Sequence, residues 1–430
     1  MGILIIIFSW KDIYGHKTAS KQGHVQKDPS FYQPDYNGRT SMLTKIDDHE
    51  HSRARKVFTN AFSDRALKAQ EPLIHNHVDK FISIIRQKST EKPGQPIDAV
   101  KLLNCLTFDI IGDLAFGESL GLLETAEYND WLRTVFGTVR TLATMTFLFE
   151  YPILGAIASL FVPKSLKESR KMMFEFSSTR VEKRMEKGAV TEKPDFWSLA
   201  LAQHDKGAID IEDMKANAGL FMIAGSETTA TFLSGFLYNM LMNPSKMEKL
   251  VAEVRGSFRS EDELTIENVR ALKYLAACFD ESLRVYPPVP QGPSRIMDTE
   301  GGVVSGHFVP KNMRKTRLSL AQYTAYHSPA NFKDPLSFVP ERWIADDPAA
   351  AEFEGDRKAV LQPFSYGPRN CIGKNLALHE MRLTATKLLW NFDIELCPES
   401  KGTWHEQKMF WILWEKPPLW LKFKAAKRDT

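Results

Sequence analysis

The stretch FSYGPRNCIGKNLA, from Phe364 to Ala377, places one cysteine among residues whose spacing leaves the backbone little choice. Gly367 and Gly373 permit turns and close approach that a Cβ would forbid, letting the loop wrap Cys371 with amides near its sulfur. Those amides would favour the thiolate. Arg369, just before Cys371, offers a planar, permanently charged fork, and Phe364 can shield the sulfur from solvent. Behind the loop, Leu376, Leu378, Met381, Leu383 and Leu388 form the apolar stripe of a helix. A lone cysteine in a glycine turn is ordinarily an inert buried thiol. The pattern F-x-x-G-x-R-x-C-x-G fixes five positions, however, and its chance occurrence in a chain this long is on the order of 10⁻⁴.

A second unusual locus lies upstream. Ile211 to Met242 reads as one long helix stopped by Asn243-Pro244, and its interior carries AGSETT, Ala224 to Thr229. A glycine such as Gly225 costs a helix about 1 kcal/mol against alanine, and adjacent β-branched threonines add little propensity. Such local conflict marks function. A helical threonine hydroxyl bonds back to the carbonyl four residues earlier, here Thr228 to Ala224, and small residues at Ala224 and Gly225 leave room beside it. Further on, Glu281 and Arg284 share a helix face before the break at Pro287-Pro288, and Arg342 of FVPERW can join them.

Together these motifs resemble the cytochrome P-450 superfamily, over nearly everything after the first ten residues. The resemblance implies a mainly α fold with small β-sheets, in which haem b lies between the long helix and the cysteine loop with Cys371 as the axial ligand of its iron. A thiolate ligand favours O–O cleavage, so the implied chemistry is dioxygen activation. Glu227 and Thr228 match the family's acid–alcohol pair, which relays protons, and Ala224 and Gly225 would leave space for dioxygen. Arg369 would meet a haem propionate, as would His51 and Arg55, four apart on one helix face, and Arg295. Glu281, Arg284 and Arg342 match a buried cluster behind the haem loop that contributes register more than net stability.

The activity so implied is a haem-thiolate monooxygenase that inserts one atom of dioxygen into a C–H bond with electrons from an NADPH-dependent reductase. Arg53, Arg55, Lys56 and Lys374 could line the face that docks this acidic donor. GPRNCIGKNLALHEMRL, LLWNFDIEL and LWEKPPLWLKF resemble fungal secondary-metabolism members, including those hydroxylating terpenoids such as isotrichodermin, which points to a lipophilic terpenoid or polyketide substrate. Two alternatives stay open: a haem-thiolate isomerase or dehydratase, which often lacks the acid–alcohol pair, and a catalytically inactive remnant.

Composition fits one domain spanning 1–430, since no repeat, low-complexity run or long linker interrupts it and the turn at Lys92–Pro96 only separates helices; a monomer is expected. Strand-like pieces, Gly302 to Val309 and Trp411 to Lys424, come late. Cys105, Cys278, Cys371 and Cys397 form no C-x-x-C pair, which supports neither a zinc site nor a disulfide framework. A net charge of +3 with 25% charged residues is too balanced for a nucleic-acid partner. The apolar run Ile3 to Phe8 is far below the roughly 20 residues that span a bilayer. Members of the family begin with a membrane anchor and sheet strands, so the N-terminal part is expected to be incomplete, by truncation or splicing, with reduced stability. The resemblance implies the cytosolic face of the endoplasmic reticulum membrane. Thr141 to Pro163, interrupted by Glu150 and Pro152, implies peripheral contact with it rather than a span. The basic run Lys311 to Arg317 departs from the family's pattern.

Overall fold

The long helix begins where Asp210 accepts a hydrogen bond from the Asp213 amide at 2.7 Å, with Glu212 and Asp213 in its first turn to meet the helix dipole. It ends where Asn243 precedes a proline. It is long and apolar enough to cross a membrane, but 72% of its most apolar window is buried inside the protein. It is a core helix.

A computed structural model describes residues 9–16, 25–149, 151–160, 163–188, 195–204, 209–297, 301–310, 317–402, 404, 406–410 and 412–427. The run Ile3–Phe8, Glu150, Trp411 and the basic residues Lys311 to Thr316 lie outside the described residues.

The helices are α1 (Ser9–Tyr14), α2 (Asp48–Thr59), α3 (Asp64–Glu91), α4 (Ala99–Phe116), α5 (Leu122–Thr125), α6 (Asp130–Phe149), α7 (Pro152–Leu160) and α8 (Lys164–Glu186). They continue with α9 (Phe196–His204), α10 (Ile211–Met242), α11 (Pro244–Ser257), α12 (Ile266–Val269), α13 (Lys273–Val285), α14 (Gln322–Tyr326), α15 (Lys374–Asn391) and α16 (Pro398–Lys401). Strands β1 (Val25–Lys27), β3 (Arg295–Met297) and β6 (Arg317–Leu318) form one antiparallel sheet in the order β1-β3-β6. A second has the order β2-β10-β7, from Ile97–Asp98, Trp420–Ala425 and Phe392–Leu396. Two hairpins complete the set: β4 (Gly302–Val304) with β5 (His307–Val309), and β8 (Lys408–Phe410) with β9 (Leu413–Glu415). The architecture is mainly α with small sheets.

α10 packs on α4, α8, α13 and α15. It lies tightly against α4, where a Cβ on Gly225 would lie 2.6 Å from Cδ1 of Ile111. The expectation that Gly225 makes room for dioxygen is therefore corrected: the space its missing side chain leaves is filled by α4. A cluster of Phe58, Phe62, Phe196, Trp197 and Phe221, with centroids 4.6–5.8 Å apart, joins α2 and the turn after it to α9 and α10. Aromatic pairs add about 0.5–1.5 kcal/mol each beyond their burial. This cluster fixes the helix carrying His51 and Arg55 against the central helix.

Candidate active site

The chain enters the Cys371 loop through two positive φ angles, 63° at Ser365 and 77° at Gly367. At Gly367 space matters as much as angle, because a Cβ would sit 2.0 Å from the Tyr14 carbonyl oxygen. Only glycine lets the end of α1 lie on the loop. Gly373 differs: its φ of −85° suits any residue, and a Cβ would touch Phe62 at 3.8 Å and the Cys371 sulfur at 4.0 Å, ordinary contacts. The expectation that a side chain is forbidden there is corrected. What Gly373 supplies is its N–H, directed at the sulfur. The Cys371 amide donates to the half-buried Phe364's carbonyl at 2.9 Å, and Arg55 grips Asn370 through its carbonyl at 2.6 Å and its side chain at 2.8 Å.

Cys371 is accessible, whereas Cys105, Cys278 and Cys397 are buried. Protein nonetheless encloses it, and burial pushes its thiol up against the opposing pull of the Gly373 amide, Arg55 and Lys374. An accessible sulfur within dense surroundings lines an internal cleft. The loop amides alone therefore do not produce the thiolate anticipated from the sequence, because desolvation outweighs them; a coordinated metal cation deprotonates such a thiol outright.

Around this loop the chain gathers positive charge. Arg369 donates to Asp48 at 2.7 and 3.0 Å and to the carbonyls of Lys45 and Ile46, both at 2.7 Å. Arg295, buried, donates to Tyr32 Oη at 3.2 Å and the Ser294 carbonyl at 3.0 Å. Lys27, also buried, donates to the Leu43 carbonyl. Burial, then the charges of Arg369 and Arg295, press the Lys27 ammonium down to about 6. Burial, then Arg369, Lys27 and Arg55, press His51 down to about 3. The carboxylate of Asp48 opposes both shifts without reversing either. A crowd of cations with so little counter-charge suits a dianion.

On α10, Thr228 Oγ1 donates to the Ala224 carbonyl at 2.7 Å, the back-bond read from the sequence. Ala224 is exposed and Thr228 half-exposed in a helix otherwise largely buried, so this face too opens on a cleft. Glu227 points elsewhere. It is buried, paired through Oε1 with Lys416, and accepts from Thr231 at 3.4 Å.

A cytochrome P-450 family profile matches residues 9–423. This chain belongs to the cytochrome P-450 family. It is 47% identical to cytochrome P-450 monooxygenase FUM2 of Gibberella moniliformis, over 98% of this chain and 87% of that one. It is 43% identical to cytochrome P-450 monooxygenase AMT3 of Alternaria alternata, over 96% and 82%, and 42% identical to astA of Talaromyces wortmannii, over 97% and 81%. The enzyme is accordingly a haem-thiolate monooxygenase, an oxidoreductase that incorporates oxygen from dioxygen. The residues fit the haem this family requires: a sulfur and a helix face each open to a cleft, beside surplus cations suited to propionates.

Behind this P-450 loop, Arg284 meets Glu281 at 2.7 and 2.9 Å and donates to the carbonyls of Tyr326, Pro335 and Ser337 at 2.6–3.1 Å, using every N–H it has. Arg342 reaches Glu281 at 3.2 Å. Two members of this cluster were not foreseen, Asp356, which pairs with Arg342, and Trp343, whose Nε1 donates to Glu281 at 2.8 Å. Lys27, Tyr32 and Lys416 were missed as well. A single lysine or tyrosine carries no pattern, and only long-range packing brings these to the site.

Proposed function

We propose that Cys371 is the axial ligand of haem b and that Lys27, His51, Arg55, Arg295 and Arg369 hold its propionates. When bound, haem with a thiolate ligand supplies dioxygen activation: substrate R–H, dioxygen, two electrons and two protons become R–OH and water. The chain's own residues orient and protonate. Phe364 and the loop backbone exclude water from the sulfur. Thr228, anchored on the Ala224 carbonyl, presents its hydroxyl to the cleft. Glu227 acts as general acid, passing protons through water to Thr228.

The substrate is a lipophilic secondary metabolite, a terpenoid or polyketide. Electrons come from an NADPH-dependent reductase docking on exposed Arg53, Lys56 and Lys374. The enzyme works as one domain and as a monomer at the cytosolic face of the endoplasmic reticulum, where Tyr151, Ile153, Leu154 and Ile157, all exposed around α7, touch the membrane.

The observation that carries this reading is the accessible Cys371 sulfur beneath the Gly373 amide. The test is the absorption spectrum of the reduced, carbon-monoxide-bound protein. We expect the thiolate-type Soret band in the wild type and its loss in Cys371→Ala. Haem binding without that band, or no haem at all, would overturn the assignment.

A further inference from the structure

Glu227 and Lys416 line a cavity of about 290 Å³ bounded by α10, α4, α6 and the β8–β9 hairpin. Its walls are mostly apolar, with Val100, Phe108, Val135, Ile223 and Leu413 among them. Yet two buried acceptors on this wall, Glu227 Oε2 and Asn104 Oδ1, have no hydrogen-bond partner among the described residues. Each such atom costs about 1–3 kcal/mol unless a donor reaches it. Tyr128 Oη accepts from Asn104 Nδ2 at 2.7 Å, which leaves its O–H to donate. Burial above all, with the charge of Glu227 contributing, pushes this phenol up, so it remains a donor. The cavity is roomy enough for water, and Glu227 Oε2, Asn104 Oδ1 and the Tyr128 hydroxyl are the polar partners it offers.

The placement on α10 gives this cavity a use. Ile223 and Glu227, four apart, line it, whereas Ala224 and Thr228, each one residue on, occupy the neighbouring face about 100° round the helix. Lys416 Nζ pairs with Glu227 Oε1 and donates to Thr231 Oγ1 at 2.7 Å, while Thr231 also contacts Oε1. One carboxylate oxygen is thus held fast and the other left to the cavity. We propose that Lys416 is the positioning residue that keeps Glu227 turned into this cavity, where water supplies the acid with protons. This rests on the general-acid role given to Glu227 above. In each transfer a proton leaves the Glu227 carboxyl toward Thr228, and the carboxylate takes a replacement from cavity water, so the acid is regenerated. Lys416 makes the ionised half of this cycle affordable in an apolar wall. The other titratable groups facing Glu227 are Glu415 of the hairpin, Tyr128 before α6 and Tyr286 after α13.

The experiment compares Lys416→Met, Lys416→Arg and Glu227→Gln in the haem-loaded full chain. The first readout is the infrared carboxyl region of the resting enzyme, independent of turnover. Lys416→Met should create a protonated-carboxyl band that disappears when Glu227→Gln is added, because a buried carboxylate stripped of its cation takes up a proton. The second is hydrogen peroxide released per NADPH oxidised, since dioxygen that receives two electrons and two protons without transfer to substrate leaves as peroxide. It should rise roughly tenfold in Lys416→Met and in Glu227→Gln. Lys416→Arg should restore both readouts and shows that the site tolerates substitution. Wild-type infrared and peroxide behaviour in Lys416→Met, beside a defective Glu227→Gln, overturns the role of Lys416. A Glu227→Gln enzyme indistinguishable from wild type instead overturns the general-acid reading beneath it.

Discussion

Two groups of buried charge flank the cysteine loop, and they are built on opposite principles. Behind it, Glu281 and Asp356 face Arg284 and Arg342, with all four charges deeply buried and carboxylates matching guanidiniums. Beside it, and around the buried His51, Lys27, Arg55, Arg295 and Arg369 lean on Asp48 and on carbonyl oxygens. The first group is neutralised internally. The second is buried among its own like charges, and burial first, then that repulsion, depresses Lys27 and His51. The difference is the one expected between a structural cluster and the propionate-binding cluster proposed above: charge that only shapes the fold is neutralised where it is buried, whereas charge with few counter-ions suits an anionic ligand.

The largest effect expected from this contrast is at Glu281. Replacing it by glutamine strands Arg284 in a dry interior and leaves Arg342 to Asp356 alone, and should cost about 3–5 kcal/mol. Chemical denaturation should show this loss with and without haem. A cost confined to the haem-loaded form would mean that the rear cluster also serves binding, and the distinction would collapse.

Lys27→Met should act in the opposite sense. Replacing a buried, repelled ammonium by an apolar chain of similar size should stabilise the haem-free protein by about 1–4 kcal/mol while weakening haem retention. The same residue sets a pH dependence. Because its folded value is about 6, against an ordinary 10.5, the unfolded chain holds more protons between these limits. Stability of the haem-free protein must then rise with pH across that window, and His51 adds a rise of the same sign between about 3 and 6.5. Melts of wild type and Lys27→Met from pH 6 to 10 decide it; equal slopes would remove Lys27 from the cluster.

The smallest effect sharpens the comparison. Trp343→Phe removes one hydrogen bond to Glu281 but no charge, and should cost only about 1–2 kcal/mol. A cost as large as that of Glu281→Gln would show that packing by the indole, rather than charge balance, holds the rear cluster.

Much of this was legible in the chain. The bounds of α10 follow from an acidic start and an Asn-Pro stop, and the Thr228 back-bond follows from helix geometry. The pairing of Glu281 with Arg284 needs only a spacing of three on a helix. Those are local relations. Gly225 shows where such reading stops: a glycine in a helix signals a close approach, but not whether a ligand or Ile111 makes it. The Cys371 thiol shows it too, since the loop's amides can be inferred from glycines while the opposing desolvation depends on everything packed around them.

The sequence by itself determined the family, the turn around Cys371, the helix conflict at AGSETT and the Glu281–Arg284 pair, because each is written in short spacings that backbone geometry converts directly into contact. Only the tertiary structure decided that Lys27 joins the cations beside the loop, and that Lys416, 189 residues from Glu227, holds the acid. The physical reason is that charge interactions depend on distance in space and on the surrounding dielectric, and neither is encoded in the order of residues until the chain has packed.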